Sequence, residues 1–243
     1  VCMIIYKPAG KEVAKKDLAL AFSNNPNGVG FMYVRNGQVK IEKPFYKFKP
    51  FYKRFRQAER ENLLSGFVIH FRLATSGTLG KDNVHPFYVN KSVAFCHNGI
   101  FAGLGNKKVS DTVEFNIKYL QHLPNNFLDN SAIKSLIEKI CIDSHSKLVF
   151  LDYRNRVFIF NENAGEWRKD GCWYSNKEIK QIVGFNGYLY DLSYKPIVEE
   201  KEYDTCDYCY GRFDNSELIT VEYGLKLCYA CYTDHIMIYG NKK

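Results

Sequence analysis

The sequence predicts an α+β layered domain followed by a small cysteine-rich module, and three observations carry that expectation. Apolar, strand-like segments lie on either side of a pair of helical segments, an order that suits an α+β fold better than alternating βαβ units. The aromatic share is 16%, supplied mostly by 18 Tyr and 18 Phe, and with 46% hydrophobic residues it suits a sheet-rich interior. Four of the eight cysteines fall into two CxxC pairs near the end of the chain, Cys206 with Cys209 and Cys228 with Cys231.

Taken in order, residues 2–6 (CMIIY) read as a short buried strand. Lys11 to Phe22 places Val13, Leu18, Ala21 and Phe22 at helical spacing. The run from Asn24 to Gly28 is dense turn chemistry. FMYV, the dipeptide Asn36-Gly37 and QVKI then form the pattern of a tight β-hairpin. Residues 67–71 (FVIHF) and 93–96 (VAFC) read as buried strands. Ser110 can cap a helix running through Phe115, Ile117 and Leu120, and a second helix runs from Ser131 to about Ile140. KLVFLD, an Arg154-Asn155 turn and RVFIF make a further hairpin. Composition shifts at Tyr194-Lys195-Pro196, followed by the charged VEEKEYD. The expected division is a main domain over 1–195 and a linker with a small module over 196–243.

No apolar run is long enough to span a bilayer, and the apolar opening is too short for a secretion signal. A cytoplasmic protein without membrane association is the expectation. The formal net charge is +8, or about +6 once four thiolates and a divalent ion are counted, which decides little about partners. With no secretion signal, reduced thiols plus a metal site explain the cysteines better than disulfides.

Four segments can carry chemistry, and each also has an ordinary structural reading. Cys2 is either a small core residue or a nucleophile. If residue 1 is removed, Cys2 carries a free α-amine titrating near 8, able to act as its own base. Val1 is read as the product of a non-ATG start, decoded as methionine and clipped before the small Cys2. HFRLATSG (70–77) is either a sheet edge with a solvated arginine or a guanidinium placed for a forked pair with a carboxylate. Asn98-Gly99, at the end of a strand, is either a turn or a pair of convergent oxyanion donors. Ser110-Asp111-Thr112 is either a helix cap with a favourable dipole charge or a binding group.

The order and spacing of Cys2, HFRLATSG (70–77), HPF (85–87), HNGI (97–100) and SDT (110–112) closely resemble class II glutamine amidotransferases. NGVGF (27–31) and WYSN (173–176) also look like that family's turn and final core strand, so the resemblance covers about residues 2–185. It implies a four-layer αββα N-terminal-nucleophile hydrolase sandwich. Cys2 would attack the side-chain amide of glutamine, with Asn98 and the Gly99 N–H holding the oxyanion. Arg72 would grip the substrate α-carboxylate and Asp111 the α-ammonium, with Thr75 and Gly77 in the substrate-binding turn. Met3 and Ser76 depart from the family, standing where many members have Gly and His.

Cys206, Cys209, Cys228 and Cys231 fit a tetrahedral structural zinc site with no open position, and ELITVEYGLKL (217–227) can supply the hairpin of such a module. Two coincidental CxxC pairs, or His235 replacing one ligand, are the alternatives. Residues 40–60 interleave bases with aromatics, as a nucleic-acid groove does. A strand and an amphipathic helix with snorkelling cations explain the stretch better. The expected function is ammonia release from glutamine for a separate acceptor enzyme, because too little chain follows the domain to hold a synthetase. An amidase acting on another amide, or a catalytically idle zinc-containing adaptor, are the competing readings.

Overall fold

The computed structural model describes residues 2–74, 77–78, 80–177 and, near the end of the chain, 203–207, 212–214, 218–220, 226–228 and 231–232. Contacts divide the chain into two units, Val1–Ile182 and Val183–Lys243. The boundary expected after residue 195 lies outside the described residues.

The first unit contains ten strands and four α-helices among its described residues. β1 (Met3–Lys7), β2 (Val29–Arg35), β3 (Gln38–Phe45) and β4 (Phe67–Phe71) join two short strands, β9 (Glu166–Trp167) and β10 (Trp173–Tyr174), in one sheet of order β3-β2-β4-β1-β10-β9. A second sheet has the order β5-β6-β7-β8 and is built from β5 (Phe87–Asn90), β6 (Val93–Asn98), β7 (Lys147–Asp152) and β8 (Val157–Phe160). All pairings are antiparallel. The helices are α1 (Lys15–Asn24), α2 (Phe48–Glu61), α3 (Asp111–Lys118) and α4 (Ser131–Asp143).

Strand alternation sorts the buried side chains into three layers of core. Met3 and Ile5 of β1, with Phe67, Ile69 and Phe71 of β4, pack against Leu18 and Ala21 of α1 and Phe51, Phe55 and Ala58 of α2. The intervening Ile4 and Val68 face the other way and meet Ala94, Cys96, Val149 and Leu151 of the second sheet. The remaining faces of β6 and β7, through Phe95, Leu148 and Phe150, cover Phe115 of α3 with Ile137 and Cys141 of α4. Helices, sheet, sheet and helices therefore lie in four layers, and each fully buried Phe contributes roughly 1.5–3 kcal/mol by leaving water.

Local chemistry accounts for the element ends. Asn36 and Gly37 both have positive φ, 52° and 68°, as the tight turn between β2 and β3 demands. The Ser110 side chain accepts from Val113 N and caps α3, while the Asn130 side chain accepts from Ala132 N and Ile133 N and caps α4. α1 starts at Lys15, later than the periodicity suggested, because Lys11 N bonds Pro8 O in a turn and Gly10 has φ 72°.

The basic-aromatic stretch resolves into β3 and α2. Phe51 and Phe55 are fully buried, Arg54 forks onto both oxygens of Glu42 at 2.6 Å, and Arg56 pairs with Glu12 and Glu59. Among the described residues no helix is long and apolar enough to cross a membrane. No disulfide forms among the described cysteines.

In the second unit β11 (Tyr203–Thr205) pairs with β12 (Arg212–Asp214), and β13 (Leu218–Thr220) pairs with β14 (Lys226–Cys228), both antiparallel. Its described core is Cys206, Leu227, Cys228 and Cys231, with Leu218 and Tyr232 packed against them.

Candidate active site

The register of the central sheet places Cys2. Met3 of β1 lies opposite Phe71 of β4, so the residue before one strand meets the residues after the other. Leu73 N donates to Cys2 Sγ at 3.3 Å, and the thiol in turn donates to Leu73 O at 3.4 Å. Burial pushes the Cys2 thiol above its ordinary value; the Leu73 bond and the Arg72 guanidinium oppose that rise.

A small pocket of about 20 Å³, room for about one water, is lined by Cys2, Arg72, Gly99 and Asp111, with Leu73, Asn83, His85, His97, Ser110 and Thr112 completing its wall. Four of the residues singled out from sequence thus converge on one space. Arg72, buried, donates through Nη1 to Thr78 O at 3.0 Å, and burial pulls its guanidinium down from its ordinary value. Asp111, the first residue of α3, accepts from Phe101 N at 2.8 Å. Gly99 has φ 154°, and a Cβ there would lie 2.2 Å from Ser146 Oγ, so a side chain is excluded.

Asn98 is not among the residues lining that pocket. β6 runs on past the expected VAFC to Asn98, and alternation turns His97 toward the α3 side and Asn98 toward the space between the sheets. Asn98 Nδ2 donates to Ser175 Oγ at 2.7 Å and to Asn176 Oδ1 at 2.9 Å, and its Oδ1 is buried without a partner. Gly77, φ 70°, supports the site from behind: a Cβ there would come within 2.9 Å of Ser110 N. Thr75 lies outside the described residues.

Sequence reasoning missed two supports. Asn83 accepts from Ser110 N at 2.8 Å and donates to Lys108 O at 2.9 Å and Thr78 O at 3.2 Å, tying the segment after β4 to the start of α3. Nothing in its local sequence signals this. The second is a buried histidine group. His85 Nδ1 and His70 Nε2 lie 2.6 Å apart, His70 Nε2 is 3.0 Å from His97 O, and His97 Nδ1 is 2.7 Å from Thr112 Oγ1. Burial holds all three imidazoles neutral, pulling His70 and His97 down to about 3 and His85 well below its ordinary value. Lys43, its Nζ 4.0 Å from the Phe87 ring centre, is likewise lowered to about 8 by burial.

In the second unit Cys206, Cys228 and Cys231 are buried with their sulfurs within 4.8 Å of one another, a group that can hold a metal ion. Cys209 and His235 lie outside the described residues.

No known family model matches the chain, and no curated protein matches it. Several solved structures resemble it, two of them as follows. One is glutamine phosphoribosylpyrophosphate amidotransferase from B. subtilis complexed with ADP and GMP, 14% identical with a TM-score of 0.40 over 72% of this chain and 41% of that one. The other is described as the allosteric regulatory enzyme of purine biosynthesis, 13% identical with a TM-score of 0.35 over the same shares. Both likenesses are distant, and this chain spans less than half the length of either protein.

Proposed function

We propose that this chain is a glutamine-hydrolysing amidotransferase domain of the N-terminal-nucleophile class, with Cys2 as nucleophile once Val1 is removed. The observation that carries this reading is the convergence of Cys2, Arg72, Gly99 and Asp111 on one pocket, from four separate segments of the chain. A cation and an anion beside a thiol suit the carboxylate and ammonium of a free amino acid, which distinguishes glutamine from an amide lacking them.

The chemistry follows from the groups present. The freed α-amine of Cys2, titrating near 8, takes the thiol proton as sulfur attacks the side-chain amide carbon. Gly99 N–H and Asn98 Nδ2 hold the oxyanion, and the amine returns the proton to the departing nitrogen. Ammonia leaves, a γ-glutamyl thioester remains on Cys2, and water converts it to glutamate. The ammonia goes to an acceptor enzyme outside this chain, in the cytoplasm.

For the second unit the proposal is a structural zinc ion held by Cys206, Cys228 and Cys231 with Cys209 as fourth ligand. The close, buried sulfurs suit zinc thiolate chemistry. One observation favours a catalytically idle adaptor as the second reading: both Asn98 amide hydrogens are already engaged.

The test is labelling with 6-diazo-5-oxo-norleucine and peptide mass mapping. The expected result is one adduct, on a Cys2 that has become the first residue, and none in C2A. A retained Val1 with no adduct and no glutamine hydrolysis would favour the idle adaptor.

A further inference from the structure

Resting on that reading of the site, the geometry points to Asn176 as a positioning residue that aims the Asn98 amide and holds the nucleophile's backbone. Its side chain touches both. Asn176 Oδ1 accepts from Asn98 Nδ2 at 2.9 Å, and Asn176 Nδ2 donates to the Cys2 carbonyl at 2.9 Å. An amide has one acceptor end and one donor end, and here each end is committed to a different member of the site.

The surroundings make this link directional. The Asn98 oxygen is buried and without a hydrogen-bond partner, so no bond on that side fixes the plane of the amide. Its orientation comes from the nitrogen side, from Ser175 Oγ at 2.7 Å and Asn176 Oδ1. Ser175 is itself locked to β1: its N donates to Ile4 O at 2.9 Å, and its Oγ accepts from Ile4 N at 2.9 Å. Ser175 is fully buried whereas Asn176 is only partly so.

A carboxamide nitrogen has two hydrogens, and both are used in this arrangement. To stabilise an oxyanion, Asn98 must give up one of them. The longer bond, to the less buried partner, is the one to Asn176. Asn176 Oδ1 thus stands in for the oxyanion before substrate arrives, keeping the donor aimed and dry, and yields when negative charge develops. Preorganisation of this kind lowers the barrier without strengthening ground-state binding.

The experiment is steady-state glutamine hydrolysis by the full chain carrying N176A, N98A and both together. N176A is expected to lower kcat about tenfold with KM within twofold of wild type. The double variant should fall clearly short of the product of the two single losses, because the part of the Asn176 effect that passes through Asn98 is already lost in N98A. A merely structural role would instead give additive losses and a lowered unfolding temperature. If N176A does not fold, N176D keeps the shape and the acceptor for Asn98 but replaces the donor to the Cys2 carbonyl. It should lose at least as much kcat. Wild-type kcat in a folded N176A or N176D, or additivity with N98A, overturns the inference. Failure of the underlying functional reading looks different, since wild-type protein would then neither hydrolyse glutamine nor take up label.

Discussion

The two units of this chain use cysteine in opposite ways. In the first unit Cys96, Cys141 and Cys172 are dispersed single thiols sunk in apolar layers, where burial pushes Cys141 and Cys172 up to about 12 and Cys96 well above its ordinary value. They behave as small hydrophobes. In the second unit three cysteines are gathered with Leu227 into the described core itself. The first unit has three stacked hydrophobic layers to fold around, whereas the described core of the second is mostly sulfur, which suits a metal-held module. What decides the role of a thiol is its company, and the same contrast sets Cys2 apart, since it faces Arg72 and Asp111 across a pocket.

The sharpest way to break this contrast is metal removal. If the second unit holds the zinc proposed for it, a strong chelator is expected to unfold that unit, because structural zinc binding is worth about 10–16 kcal/mol of folding free energy in small domains. Glutamine hydrolysis should survive, and metal content, circular dichroism and ammonia release measured together would show whether it does. The complementary injury is F51A, which empties a site in the helix-facing core. It should cost the first unit about 3–5 kcal/mol in denaturant unfolding while leaving the bound metal in place. Within the first unit, N98A is expected to lose about 3 kcal/mol of transition-state stabilisation in kcat, with stability less affected. Equal kcat in N98A and wild type would remove Asn98 from the oxyanion role.

Acid supplies the most gradual change. His70 and His97 titrate near 3 when folded and near 6.5 when unfolded, so the unfolded chain binds more protons between those values. Their contribution is complete above pH 6.5 and declines as pH falls toward 3, by up to about 1.4 kcal/mol per pH unit for each histidine. Denaturation midpoints of the metal-depleted chain at pH 7, 6 and 5 isolate this slope in the first unit. A flat profile would mean that the imidazoles are not held neutral.

Much of the architecture was legible because it is local. The Asn36-Gly37 turn needs positive φ at two positions, and the Ser110 cap needs only its own hydroxyl. The helix and strand periods likewise need only neighbours. Arg72, Gly99 and Asp111 were legible for a different reason: their order along the chain resembles a known pattern, and the pocket brings them together with Cys2. What escaped notice depends on partners far away in sequence. Asn83 looks like any loop asparagine until Ser110 arrives against it, and WYSN read as a core strand although its last two residues reach Asn98. His85 was visible only as part of HPF, and its pairing with His70 required the fold.

The position of β1 in its sheet has a consequence for synthesis. The strand that follows Cys2 is an interior one, flanked by β4 and β10, and β10 begins only at Trp173. Until that segment has left the ribosome, the edge where β10 belongs stands open. At about 5–20 residues per second the wait is on the order of ten to thirty seconds. On the proposed reading, in which Val1 is removed, an aminopeptidase has that interval to act before β10 pairs with Ile5 and Tyr6.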